Sequence, residues 1–337
     1  MQLPVTRDGK TIDMAAPSVE VPRPFGPAPT LATETPEVRP EPRLGRRFDR
    51  AARLFSEAGL ERLSTARVLI VGVGGVGSFA AESLARSGVG QIVLVDFDRI
   101  CVTNSNRQIH TLQGTIGRSK VEVMAERLKL IHPSGLFEAR SEIYSPTTAD
   151  ELLSHGFDYI VDAIDAISAK VHLIATCLER KLPLVTVMGA AARMDPTAVR
   201  VADLVDTYND PLAAMVRKRL RQEYGRELIR GQEVGIPAVF SSEVPVLPSI
   251  PSYDQGTGFR CVCPGGKEGR ADCDNRKRID GSASFVTGTF GLTAASVVVR
   301  SLIQHEFEGA EREGGSTLRS AREPRRRRQA LEAGAER

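Results

Sequence analysis

The sequence predicts an α/β fold, a Rossmann-like and mostly parallel sheet with helices on both faces. Three observations predict it. Val68-Leu-Ile-Val-Gly-Val-Gly-Gly-Val-Gly-Ser78 reads as a buried strand, a glycine turn and a helix start. Val93-Leu-Val-Asp96 reads as a second strand that ends in an acid. Beyond these, strand-length apolar runs alternate with helix-period segments, which implies a parallel sheet covered on both faces.

The elements follow in order. Strands are expected near 67–72, 91–96, 136–142, 158–163 and 183–188, with helices near 76–88, 117–131, 147–154 and 168–181. The fold is extended by a further strand, Val199-Arg-Val-Ala-Asp203, and by a basic helix from Pro211 to Tyr224 that starts at an Asp210-Pro211 cap. Residues 245–282 are rich in Gly, Pro, Ser and charge and read as a long crossover loop, a length that is usually functional or disordered. A helix near 285–306 closes the domain. Residues 1–44 are proline-rich with little apolar periodicity and are expected to be a disordered extension; 45–307 form the folded domain, and 308–337 a charged, disordered tail.

Composition narrows the class. The chain has 337 residues, 41% of them hydrophobic, enough for a full core. Lys+Arg of 45 against Asp+Glu of 42 nearly balance, so net charge does not point to nucleic acid. The cations are clustered, however, at Arg217–Arg221, Arg276–Arg278 and Arg325–Arg328, and the first cluster is the best candidate for RNA phosphates. No apolar run approaches the roughly 20 residues of a membrane span, and the start of the chain lacks the charged-then-apolar order of a secretory signal. Five cysteines suggest no disulfide framework, so a cytoplasmic protein with no membrane partner is expected.

Gly72, Gly74, Gly75 and Gly77 have the spacing of a phosphate turn, where backbone approaches an anion at a helix N-terminus. Asp96 falls about 20 residues on, where an acid can hold ribose hydroxyls. A nicotinamide enzyme needs little more. Here Asp98, Asn104, Arg107 and Lys120 follow, the last placed at the exposed start of a helix, and these cations suit a triphosphate. Asp165 ends another strand on the same edge and can hold Mg²⁺ against phosphate oxygens. Asp162 and Asp165 also suit capping of the helix near Ser168. Together the set describes ATP used for adenylyl transfer.

The ordered motifs Gly-x-Gly-Gly-Val-Gly-Ser, Asp-Phe-Asp, Thr-Asn-x-Asn-Arg-Gln, Gly-x-x-Lys and Asp-Ala-Ile-Asp resemble the ATP-dependent activating superfamily (ThiF/MoeB/HesA, ubiquitin-activating-enzyme-like). Cys101–His110, Val121–Arg127, Tyr159–Asp165, Met194–Thr197, Asp210–Ala213 and Val286–Gly291 resemble one branch, the tRNA threonylcarbamoyladenosine dehydratases. The resemblance covers about residues 45–306. It implies ATP and Mg²⁺ as cofactors, a tRNA carrying threonylcarbamoyladenosine as substrate, a homodimer, and a sulfur-relay protein as a further partner. It also implies residue roles: the four glycines as the phosphate turn, Asp96 on ribose, Asn104, Arg107 and Lys120 on phosphate, and Asp165 on the metal. An arginine from an N-terminal helix would reach the partner's site, with Arg47, Arg50 and Arg53 as candidates; the choice between Arg50 and Arg53 stays open.

One departure matters. Sulfur-carrier adenylyltransferases commonly hold zinc with two Cys-x-x-Cys pairs, and this chain has none. Cys261, Cys263 and Cys273 lie in the long loop, where a thiol nucleophile, a metal ligand and no chemical duty at all are open readings. Cys177 reads as core. The histidines form no metal-spaced pair and read as structural or exposed. Adenylation of a ubiquitin-like sulfur carrier is the alternative function; a nicotinamide dehydrogenase and a non-catalytic scaffold are weaker rivals.

Overall fold

The computed structural model describes residues 46–249, 251 and 280–303, all within one unit, Pro42–Arg337. The expected extension at 1–44, the tail from 308, the basic clusters at Arg276 and Arg325, and Cys261, Cys263 and Cys273 lie outside the described residues.

Seven strands form one sheet in the order β3-β2-β1-β4-β5-β7-β6. They are β1 Arg67–Val71, β2 Gln91–Val95, β3 Leu136–Arg140, β4 Tyr159–Asp162, β5 Leu184–Val187, β6 Val199–Asp203 and β7 Pro237–Ser241. All neighbours pair in parallel except β6 and β7. The chain reverses direction across the sheet between β1 and its neighbours β2 and β4, and this switch point is where open α/β sheets bind ligands.

Helices cover both faces: α1 Asp49–Thr65, α2 Gly77–Arg86, α3 Lys120–Ile131, α4 Pro146–Leu153, α5 Ile167–Arg180, α6 Pro211–Tyr224 and α7 Ser284–Leu302. Strand alternation sorts the core into two layers. Val68, Ile70, Ile92, Leu94 and Val161 face α2, α3 and α7, while Leu69, Val71, Val93, Val95 and Ile160 face α4, α5 and α6. The cap expected at Asp210 is present: its Oδ1 accepts from Ala213 N at 2.9 Å, with Pro211 in the first turn.

Two elements exceed the sequence reading. β7 was not expected, because Ala238-Val-Phe240 is too short a run to stand out from a loop. α1 breaks at Ser56 (φ 67), whose Oγ accepts from Gly59 N at 3.1 Å and so restarts the helix. Its second half packs into the core through Leu60 and Leu63, while Asp49, Arg50, Arg53 and Leu54 of its first half are exposed.

The absence of a span-length apolar helix is corrected by α7. Its 19 residues are long and apolar enough to cross a bilayer, yet it lies in the core against α2, β4, β5 and β7. A side chain at Gly291 would put its Cβ 2.4 Å from Val76 O at the start of α2. Gly291→Val should therefore destabilise the fold by about 1–3 kcal/mol through overpacking, measured by denaturant unfolding.

Candidate active site

The crevice begins with a backbone contact. After β1, Gly72 turns with φ +93, and its N–H donates to Val95 O at 2.8 Å. A Cβ at Gly72 would meet Ala163 O, just past β4, at 2.6 Å; a Cβ at Gly77 would meet Gly72 O at 1.8 Å. Only glycine lets the turn, the helix start and the β4 end converge. No side chain caps α2; the Ser78 N–H donates to Gly74 O at 3.1 Å, and the positive end of the helix faces the crevice, where it favours an anion. Ser78 Oγ is buried there without a hydrogen-bond partner among the described residues.

Asp96 closes the other side. Its Oδ2 accepts from Val73 N at 2.7 Å and its Oδ1 from Asp98 N at 2.9 Å. Burial pushes its pKa above the usual carboxylate value, against the pull of Lys120. Lys120 opens α3 but is buried rather than exposed as expected, because Arg99 pairs with Ser119 and folds the preceding loop over it. Its ammonium lies 2.6 Å from Asp98 Oδ2 and 4.0 Å from Asp96 Oδ1. A short-range cation is thus held beside the glycine turn by two carboxylates.

Asn104 builds the next wall. Its Oδ1 accepts from Cys101 N at 3.0 Å, and its carbonyl accepts from Arg107 N and Gln108 N. This compact turn brings Arg107 against the glycine turn, with Arg107 Cγ 3.3 Å from where a Gly75 Cβ would be. Arg107 Nη1 donates to Thr103 O and Asn106 Oδ1, each at 3.0 Å. Asn106 Nδ2 in turn donates to Ser282 O at 2.7 Å, joining this wall to the start of α7. Thr287 of α7 also reaches Gly75, at 3.3 Å from the same Cβ position. The contribution of α7 had no chemical signal in the sequence beyond its glycines.

Asp165 stands exposed on the turn after β4. Neither it nor Asp162 caps α5, whose N-cap is Ala166 without a side-chain bond, so the capping reading is corrected. Asp162 instead lies fully buried beneath the turn. It accepts from Lys170 Nζ at 2.7 Å, from Thr186 Oγ1 at 2.6 Å and from Ile164 N at 3.1 Å. Lys170 Nζ also donates to Val187 O at 2.9 Å. Sequence reasoning missed this pair: a lysine inside an amphipathic helix reads as surface. The charge network ties α5, β4 and β5 under the loop that carries Asp165.

Arg50 and Arg53 sit on the exposed first half of α1, and Arg53 Nε pairs with Asp49 at 3.1 Å. Arg47 is drawn away, donating to Ile131 O at the end of α3 at 3.1 Å. Cys177 is buried as expected, and burial pushes its thiol up to about 12. Among the described residues no group of three metal-type ligands occurs. His110 is fully buried, and burial first, then Lys120 and Arg127, lowers its pKa to about 4. Its neutral ring adds no charge beside Lys120.

Two outcomes test this geometry. Lys170→Met strands the Asp162 carboxylate and should cost about 3–5 kcal/mol of stability, read from denaturant midpoints. Because the folded pKa of His110 is below its unfolded value, the unfolded chain binds more protons between about pH 6.5 and 4. Stability should therefore be lost as pH falls from about 6.5 to 4, by up to about 1.4 kcal/mol per unit, and His110→Gln should remove that component of the slope in thermal melts.

The comparisons agree with this architecture. The chain matches the ThiF family over residues 48–336. It is 41% identical over 259 residues to the tRNA threonylcarbamoyladenosine dehydratase of Escherichia coli, covering 76% of this chain and 93% of that protein. It is 44% identical over 200 residues to the Bacillus subtilis dehydratase, covering 59% of this chain and 76% of the relative. The crystal structure of the Escherichia coli dehydratase in complex with ATP superposes with a TM-score of 0.67 at 38% identity, over 78% of this chain and 96% of that one. More distantly, the Escherichia coli molybdopterin-synthase adenylyltransferase is 30% identical over 61% of this chain and 78% of its own length. With the glycine turn, the buried lysine and the Asn-Arg wall on one edge of a switched parallel sheet, the chain belongs to the ThiF family.

Proposed function

We propose that this protein is an ATP-dependent tRNA threonylcarbamoyladenosine dehydratase, which cyclises the threonylcarbamoyl side chain of a modified adenosine through an acyl adenylate. The observation that carries the reading is the convergence of Lys120, Arg107 and the uncapped start of α2 around one glycine turn. The near-full-length likeness to a dehydratase whose structure contains ATP supports the substrate.

The residues have distinct tasks. The glycine turn and the α2 N-terminus receive the phosphates, and Asp96 holds the ribose. A free carboxylate is a poor electrophile because its oxygen leaves badly. Its attack on the α-phosphate joins two anions, and Arg107 and Lys120 offset their repulsion. Asn104 keeps Arg107 in place, and Asp98 keeps Lys120 directed at the turn. The acyl–phosphate bond forms as pyrophosphate leaves. The neighbouring carbamoyl nitrogen then attacks the acyl carbon, loses its proton and expels AMP, closing a five-membered ring. Holding both groups in one molecule favours that closure by up to about 7–11 kcal/mol.

Asp165 is the residue we assign to Mg²⁺, since one carboxylate with phosphate oxygens is an ordinary set for that ion. The metal would neutralise phosphate charge when bound. In a homodimer, Arg50 or Arg53 would cross to the partner's site, and the exposure of the first half of α1 supports that reach. A cytoplasmic setting fits a tRNA substrate.

Pure protein with Mg-ATP and tRNA carrying threonylcarbamoyladenosine should produce a nucleoside lighter by one water, detected by mass spectrometry of the digested tRNA. Lys120→Ala and Arg107→Ala should each lower the rate about 10²–10³-fold. ATP–pyrophosphate exchange stimulated by a ubiquitin-like sulfur carrier, and not by tRNA, would favour the adenylyltransferase alternative.

A further inference from the structure

The basic helix α6 divides into two kinds of cation. Arg217 is braced inside the fold, donating to Leu204 O at 3.2 Å and to Thr207 Oγ1. Arg219 is occupied by Glu223, at 2.5 Å, and by Ser168 Oγ at 2.9 Å. Lys218 and Arg221 are exposed and make no ion pair among the described residues. The run that looked uniform in sequence is therefore half structural and half free.

A third free cation joins them through the loop after α6. Asp206 Oδ1 accepts from Gly231 N at 2.9 Å, and Asp203 Oδ2 accepts from Val234 N at 3.0 Å and Gly235 N at 2.8 Å. These bonds pin the loop beside Thr207, which Arg217 also contacts, and so bring exposed Arg230 to the same side. Burial, then the like charge of Arg221, holds Arg217 below the usual arginine value, and Arg230 acts in the same sense. The loop's own acids, Glu227 and Glu233, are exposed and form no ion pair with these cations. Asp203 and Asp206 are engaged by the loop's own amides, and Lys218, Arg221 and Arg230, which form no ion pair among the described residues, suit a polyanion.

The helix is also anchored to the crevice. Buried Asp210 caps α6 and accepts from Gly189 N, just past β5, at 3.0 Å. At 1.5 Å rise per residue, Lys218 and Arg221 stand roughly 12 and 16 Å along the helix from that anchor. Stacked nucleotides about 3.4 Å apart would span this in about four or five steps.

We propose that Lys218, Arg221 and Arg230 form the surface that grips the phosphate backbone of the substrate RNA a few nucleotides from the reacting adenosine. This rests on the dehydratase reading and deepens it by assigning the RNA contact. The test compares wild type, the triple variant Lys218→Ala/Arg221→Ala/Arg230→Ala, and Arg219→Ala in binding purified tRNA that carries threonylcarbamoyladenosine, across a salt series. The triple variant should bind about tenfold or more weakly at low salt, with a slope of log K against log salt shallower by about 2–3. Its ATP affinity by calorimetry should stay within about twofold, and Arg219→Ala should bind tRNA like wild type. An unchanged salt slope in the triple variant, with wild-type binding intact, would overturn the surface assignment alone. Wild-type protein that binds no tRNA would overturn the dehydratase reading and this surface with it.

Discussion

The site depends on one steric constraint: the start of α2 must approach the end of β1 closely enough that no side chain fits at Gly72 or Gly77. That approach places the helix N-terminus directly over the sheet's switch point, where a helix dipole favours an anion. Ala163 presses on the same turn, so the end of β4 is brought to the crevice by backbone contact and not by a side-chain bond.

Charge is then distributed with little freedom. Lys120 is buried between Asp96 and Asp98, and Lys170 is buried against Asp162 one layer below. Buried pairs of this kind add little net stability compared with apolar packing, but losing one partner is costly. Their effect here is positional: the first holds a cation toward the glycine turn, and the second locks the loop bearing Asp165. His110, neutral in its buried place, leaves the electrostatics to these pairs.

Much of the fold was legible because its signals are local. Strand runs, the glycine turn and the Asp210-Pro211 cap are set by residues within a few positions of one another, and all appear where expected. β7 was hidden because three apolar residues gain strand character only from pairing with β5 and β6. The kink at Ser56 was hidden because a serine inside a helical pattern gives no sign of a left-handed backbone.

The sequence by itself determined the fold class, the glycine turn and the order of its polar residues, since these follow from periodicity and from which residue types tolerate a given backbone. Tertiary structure alone decided which of those residues are buried, paired or free. Lys120 is internal because the loop from Arg99 to Ser119 folds over it and Lys170 because β4 and β5 close over it, while half-buried Arg217 is held by Thr207. The cause is physical: burial and ion pairing are made between segments far apart in the chain, and no local pattern encodes the partner.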